Sequence, residues 1–316
     1  MTAGDSAGFP VDITTPGSYR LTGNLEAGNL SGIEISADNV VLDLNGFAIG
    51  GSSVGGPSNG IGGGSADNVE VKNGTVRQFL GNGIQLGAKA IVRNVRVQNN
   101  GKAGIFVGDE SQIVSCVAID NEEAGIATAN SSVVESSTSV SNSGTGISVG
   151  DDSRVHGNRV RENGDDGIAA GNTCTITDNV SFHNSAAGID GGLGCTASGN
   201  VLANNMQGGM FLSAACVMTN NVARSNGTLS THDGISGGTA CVVTNNSSYS
   251  NVGDGIEVDD GSIVIGNTAN SNQQLGIRLQ MNCGLRDNVM GFNDQGTVQG
   301  GFQTGTNICN GTTACP

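Results

Sequence analysis

The chain has 316 residues, with 13 Lys and Arg against 28 Asp and Glu and a formal net charge of −15. That balance disfavours nucleic acid as a partner and gives no support for docking on an anionic membrane surface, and no run approaches the ~18 apolar residues of a membrane span. Aromatic residues make up 3% with no Trp, while Gly numbers 53, a composition that cannot fill a globular core but suits stacked repeats of small side chains.

The chain opens Met-Thr-Ala-Gly-Asp, without a charged-then-apolar leader. Residues 1–31 stand outside the repeat described below and are expected to cap one end of it. Gly17–Leu21 and Val40–Gly46 read as strands and a turn, and the Gly/Ser-rich run Gly50–Gly64 as a lengthened corner. From residue 32 to 298 Gly-plus-apolar pairs recur, and from Gly83 to Thr297 every interval is 21 residues except the one ending at Gly234, which carries four more. Residues 299–316 form a non-repetitive tail.

A fixed period identifies a stacked solenoid. One and three residues after each Gly stand inward apolar positions such as Ile105 and Val107 or Ile256 and Val258, alternating with polar ones, which is the pattern of a short strand. Further columns, Val92 to Leu285 and Val97 to Met290, mark two more strands per coil. Only parallel strands let identical columns stack, and crossovers between parallel strands are overwhelmingly right-handed. The expected fold is all-β: a right-handed parallel β-helix of about 12 coils, each of three strands.

Asparagine supplies the corners. Asn100 begins a ten-member column ending at Asn293, and Asn158 to Asn288 form a second. Asn tolerates left-handed backbone, and its amide can bond the copy one coil away. Cys174, Cys195, Cys216 and Cys241 share one inward column, with Cys283 rejoining it. They are expected as thiols, although bridges between neighbouring coils remain open. Cys309 and Cys315 are expected to pair, which argues for export, so a secreted, periplasmic or cell-surface location is expected.

The repeated Asn-x-x-x-Gly-Ile units, such as Asn163–Ile168, Asn184–Ile189 and Asn272–Ile277, resemble those of the pectate-lyase-like right-handed β-helix superfamily. The segment Ile35–Gly46 is similar to the opening common in those proteins. The resemblance covers nearly the whole chain. It implies polysaccharide lyases, galacturonan hydrolases, alginate epimerases or noncatalytic surface proteins, with a groove on the outward face of the Gly-Ile strands.

Acidic residues gather on that face in the C-terminal half. Asp233 and Asp254 fall in one column of adjacent coils, so their carboxylates are expected ~5 Å apart. Crowded like charges raise one pKa and suit an acid–base pair. The expected catalytic group is Asp233, Asp254, His232 and Glu257, with Arg278, Asp190, Asp166 and Asp165 binding substrate. Asp233 and Asp254 are alternatively ligands for Ca²⁺. Asp109, Asp151 and Asp260 form a further column of candidate ion ligands, and the basic stretch with Lys72, Arg93 and Arg96 is a rival site for an anionic glycan. The expected function is binding or cleavage of a polysaccharide, uronate-containing, by lyase or glycoside hydrolase chemistry. A noncatalytic adhesion or structural solenoid is the alternative.

Overall fold

Three short strands joined at three tight corners make each coil. The structure is a computed structural model that describes residues 8–52, 55, 56, 58–313 and 315. The opening Met1–Asp5 segment and part of the Gly/Ser-rich corner (Ser53, Val54 and Pro57) lie outside the described residues. The chain falls into two units, residues up to Arg154 and residues from Val155 on.

A coil of the first unit shows the logic. Strand Ile105–Val107 packs Ile105 and Val107 inward at 0% exposure, and Phe106 points out. Strands Gln112–Val114 and Val117–Ile119 follow, burying Ile113 and Ala118. Each strand pairs in parallel with its counterpart 21 residues on, Ile105 with Ile126, Gln112 with Val133 and Val117 with Thr138. The Gly-Ile strands form a first sheet, and the other two strands of each coil form a second and a third. Each unit contributes seven Gly-Ile strands, so the β-helix has about fourteen coils rather than twelve. The difference lies at the ends. Val11–Ile13, Gly17–Arg20 and Leu25–Gly28 already pair with Ile33–Ile35, Val40–Asp43 and Ala48–Gly51. Gly296–Gln299, Phe302–Gln303 and Ile308–Cys309 continue the three sheets at the other end.

The repeat glycine is required by stacking. A Cβ on Gly104 would lie 2.6 Å from the Gly125 carbonyl oxygen and 2.8 Å from the Asn121 amide nitrogen, closer than any side chain can pack. The coil path and the buried amide thus exclude every other residue there.

The corners correct one expectation. The left-handed residue is not the column Asn but the residue before it: Asp120 (φ 53) precedes Asn121, His183 (φ 57) precedes Asn184 and Phe292 (φ 57) precedes Asn293. The same coil bends at Glu110 (φ 57) and Ser115 (φ 54). A left-handed non-Gly residue costs about 1–2 kcal/mol, and the next side chain offsets it. The same bonds occur after a left-handed glycine: Asn200, which follows Gly199 (φ 69), accepts at Oδ1 from both the backbone N–H and the amide of Asn179, at 3.0 Å each, and its own amide donates to Ile176 O and Asn221 Oδ1. Such bonds run Asn100–Asn121–Asn142 in the first unit and Asn163 through Asn293 in the second.

The cysteine column is a ladder of the same kind. Ser132 N donates to Ser153 Oγ, and likewise Cys195 N donates to Cys216 Sγ at 3.2 Å and Cys216 N to Cys241 Sγ at 3.4 Å. The thiols donate in turn to carbonyls, Cys195 to Gly171 O and Cys241 to Ser213 O. Cysteine here does the work of serine. Cys309 and Cys315 form a disulfide, and the other six cysteines carry thiols.

Replacing Asn200 by Ala orphans the buried Asn179 N–H and removes one hydrogen bond each from the Asn179 amide, the Ile176 carbonyl and the Asn221 amide oxygen. At ~1–3 kcal/mol for each unpaired group, a loss of about 2–4 kcal/mol is expected in chemical denaturation. Thiol titration of unfolded, unreduced protein should find six thiols, rising to eight after reduction.

Candidate functional site

In the unit from Val155 on, the outward residues of the first sheet stand one coil apart. In register they run Ala169, Asp190, Phe211, Ser236, Glu257, Arg278 and Gln299. Alternation along each strand fixes this: Ile256 and Val258 are buried, so Glu257 between them faces out. Asp190, Phe211, Ser213, Ser236, Glu257 and Asp259 line a shallow cleft of about 370 Å³. Gly208 (φ +151) makes room for its aromatic wall, since a Cβ there would meet the Phe211 ring at 2.7 Å.

Asp233 and Asp254 were expected on the surface and are instead 2% exposed. The residue before the repeat Gly sits at a corner, and where it is Asn or Asp, as at Asn82, Asp166, Asp233 and Asp254, its side chain accepts an N–H of the next coil. Asp233 Oδ1 takes the Asp254 N–H at 2.7 Å, and Asp254 Oδ1 takes that of Leu275 at 2.7 Å. Asn82 does the same for Ala103 at 3.1 Å. The expected dyad is also partnered differently. Asp254 is held by the Arg278 guanidinium, which lies 3.8 Å from Glu257 and donates to Gln299 Oε1 at 3.1 Å. Asp233 turns to Glu257. Burial above all, then the hydrogen bond to Glu257, pushes Asp233 up to about 8, so at neutral pH it is an acid sharing its proton with Glu257. Arg278 is raised by its bond to Asp254.

The remaining expected residues divide. Burial raises Asp166 to about 6 and raises Asp190 as well. Asp166 Oδ1 takes the Ala187 N–H at 2.8 Å, a corner acceptor again, and Asp165 lies exposed beside it. His232 is not part of the carboxylate group. Its Nδ1 is 3.0 Å from Met206 O and 3.2 Å from Thr228 N, organising the four-residue insertion. Asp109 and Asp260 accept the N–H groups of Asn130 and Met281 at 2.9 Å, the same corner work. Lys72 and Arg93 both contact Glu70, at 3.3 and 2.5 Å, so the rival basic site carries its own counter-charge. Sequence reasoning missed Phe211 and Asp259 as cleft residues. The signal was present for Phe211, a large apolar residue at an outward position between Asp190 and Ser236.

One oxygen from each of Asp233, Asp254 and Glu257 lies within 4.8 Å of the others. The group nevertheless does not fit Ca²⁺, which takes 6–8 oxygens. One oxygen of each aspartate is committed to a backbone N–H, and the Arg278 guanidinium already pairs with Asp254 and lies 3.8 Å from Glu257.

A family model described as a right-handed β-helix region matches residues 87–226 and 151–294, together more than half of the chain. No curated protein matches the sequence. Among solved structures, the A-module of mannuronan C-5 epimerase AlgE6 from Azotobacter vinelandii aligns at TM-score 0.56 and 16% identity, over 94% of this chain and 91% of that one. The Dettilon tailspike protein aligns at 0.51 and 15%, over 91% and 59% of the two chains. The catalytic unit of a GH87 α-1,3-glucanase from Streptomyces thermodiastaticus aligns at 0.51 and 13%, over 95% and 64%. At these identities the likeness is one of fold.

The shared proton makes stability depend on pH. Asp233 rises from an ordinary 3.8 to about 8 on folding, so the folded state binds a proton the unfolded chain releases above pH ~4. The stabilisation is complete below that and is lost as pH rises through about 8. Melting temperature should therefore fall between pH 5 and 8. Asp233→Asn, which keeps the corner acceptor as Asn82 does, should reduce that slope, most clearly above pH 6, since Asp166, raised to about 6, adds to the fall below it.

Proposed function

The chain belongs to the right-handed β-helix family, and from that premise we propose that it is a carbohydrate-active protein that hydrolyses a polysaccharide in the cleft between Asp190 and Asp259. The observation that carries this reading is the protonated Asp233 buried directly behind Glu257. Glu257, whose side chain is 31% exposed, is the group that meets the sugar. The proton it shares with Asp233 is the one delivered to the glycosidic oxygen as the bond breaks. Asp233 is a positioning residue and proton partner.

Asp259 lines the same cleft two residues further on. It stands at the corner that follows the strand Ile256–Val258, and inverting glycosidases hold acid and base ~6.5–9.5 Å apart, which leaves room for a water between them. Asp259 is assigned to activate that water. Phe211 offers an apolar wall to a sugar ring, and Ser213, Ser236 and Asp190 offer hydrogen bonds to hydroxyls. The carboxylates of Asp190, Glu257 and Asp259 oppose an anionic sugar, and Arg278, the cation nearby, is already engaged by Asp254. A hydroxyl-rich, uncharged sugar suits this cleft better than the uronate expected from the sequence. The noncatalytic alternative draws on one observation: Asp233 and Asp254 both serve as corner acceptors, work an inert solenoid also needs.

Incubation with neutral glucans, pectate and alginate, with and without Ca²⁺, tests the reading. New reducing ends are expected on a neutral glucan, unaffected by EDTA and without unsaturated-uronate absorbance. Glu257→Gln and Asp259→Asn should each lower the rate ~10²-fold or more, the scale of a lost acid or base. Asp233→Asn should move the alkaline limb of the pH–rate profile down from about 8. Full activity in Glu257→Gln would exclude the assignment, and no product from any glycan would favour the inert solenoid.

A further inference from the structure

The third-sheet face of the unit from Val155 on has the opposite electrostatic character to the cleft. Its strands Arg159–Arg161, Val180–Phe182, Val201–Ala203, Val222–Arg224, Ser247–Tyr249 and Thr268–Asn270 bury the middle residue and, apart from the buried Ala203, turn the outer two toward solvent. None of those outer residues is acidic, in a chain where acids outnumber bases 28 to 13. Pairing in register stacks Arg161, Phe182, Ala203, Arg224, Tyr249 and Asn270 into one column.

The cations there are available. Arg159 places its guanidinium carbon 4.6 Å from the centroid of the Phe182 ring, a cation–π contact that leaves its N–H groups able to donate. Arg224 is exposed and has no ion pair among the described residues. Among the described residues Arg161 pairs with its chain neighbour Glu162, at 2.6 Å, where both side chains are open to water, a contact that exchanges readily. Tyr249, 38% exposed, stands one coil beyond Arg224.

We propose that this face binds a strand of carboxylated polysaccharide laid along the stacked coils. Arg159, Arg161 and Arg224 would take its carboxylates, and Phe182 and Tyr249 would pack beneath its sugar rings. Three coil steps separate Arg161 from Arg224, ~14 Å at ~4.8 Å per coil. That sparse spacing suits a polymer with at most one charge per sugar. It neutralises little of a nucleic acid duplex, which carries one charge per ~1.7 Å. The anionic glycan anticipated from the sequence finds here the cations that the cleft lacks. The site involves no residue of the cleft and stands whether or not the cleft is catalytic.

Electrophoresis through gels containing alginate, polygalacturonate or dextran tests the proposal on the full chain. Both acidic polymers should retard the protein, less so as salt rises, and dextran should not. The double variant Arg161→Ser/Arg224→Ser should weaken binding at least 10-fold with an unchanged melting temperature, and Glu257→Gln should bind as the parent does. The proposal is overturned by absence of retardation, by a double variant that binds like the parent, by loss of retardation in Glu257→Gln, or by tighter binding to single-stranded DNA. Those outcomes leave the hydrolysis assay untouched, so the two readings fail separately.

Discussion

Everything in this molecule depends on one short contact: a side-chain oxygen, or a sulfur, at a corner accepting the backbone N–H of an adjacent coil. A corner turns the backbone away from its sheet and strands an N–H in the interior, where an unpaired donor is costly. Asn121 answers it for Asn100, Ser132 for Ser111, Cys241 for Cys216 and Asp233 for Asp254. Four chemically different side chains thus perform one structural task. Because the partner always lies in the neighbouring coil, the ladder also holds the coils in register, and the apolar columns stack as a consequence.

Much of the fold was legible because the period exposes the columns directly. Ile105, Ile126 and Ile147 share a core position by arithmetic alone, and the Asn columns announce themselves by repetition. The left-handed residues were not legible. Asp120, Ser141, Glu162 and His183 occupy one backbone conformation with no common chemistry, so no column of identities marks them. Their conformation is imposed by the residue that follows. The end coils were obscured for a related reason, since strands such as Gly17–Arg20 keep the path of the helix while losing its spacing.

The site was partly legible. The clustering of acids on one outward face is a sequence fact, and Glu257, Asp190 and Arg278 do face that way. Which acids are exposed was not readable, because position relative to the repeat Gly says where the backbone runs and not whether a carboxylate folds back onto it. Asp233 folds back and is buried. The contact that matters chemically, Asp233 with Glu257, joins two different columns in adjacent coils, and column-by-column reading has no way to see across. His232 misled through its neighbour in the chain: two adjacent residues at a corner point into different surroundings.

The corner position before the repeat glycine uses a single oxygen atom. Asn59 and Asn82 fill it with an amide, and Asp166, Asp233 and Asp254 fill it with a carboxylate. The backbone cannot tell them apart, so the second heavy atom of each side chain is free of architectural duty. A nitrogen there leaves an inert wall, and an oxygen leaves an ionisable group buried beside the outward face. Along this solenoid, reactive positions can therefore be written or erased by exchanging one atom, coil by coil, without the scaffold registering the edit.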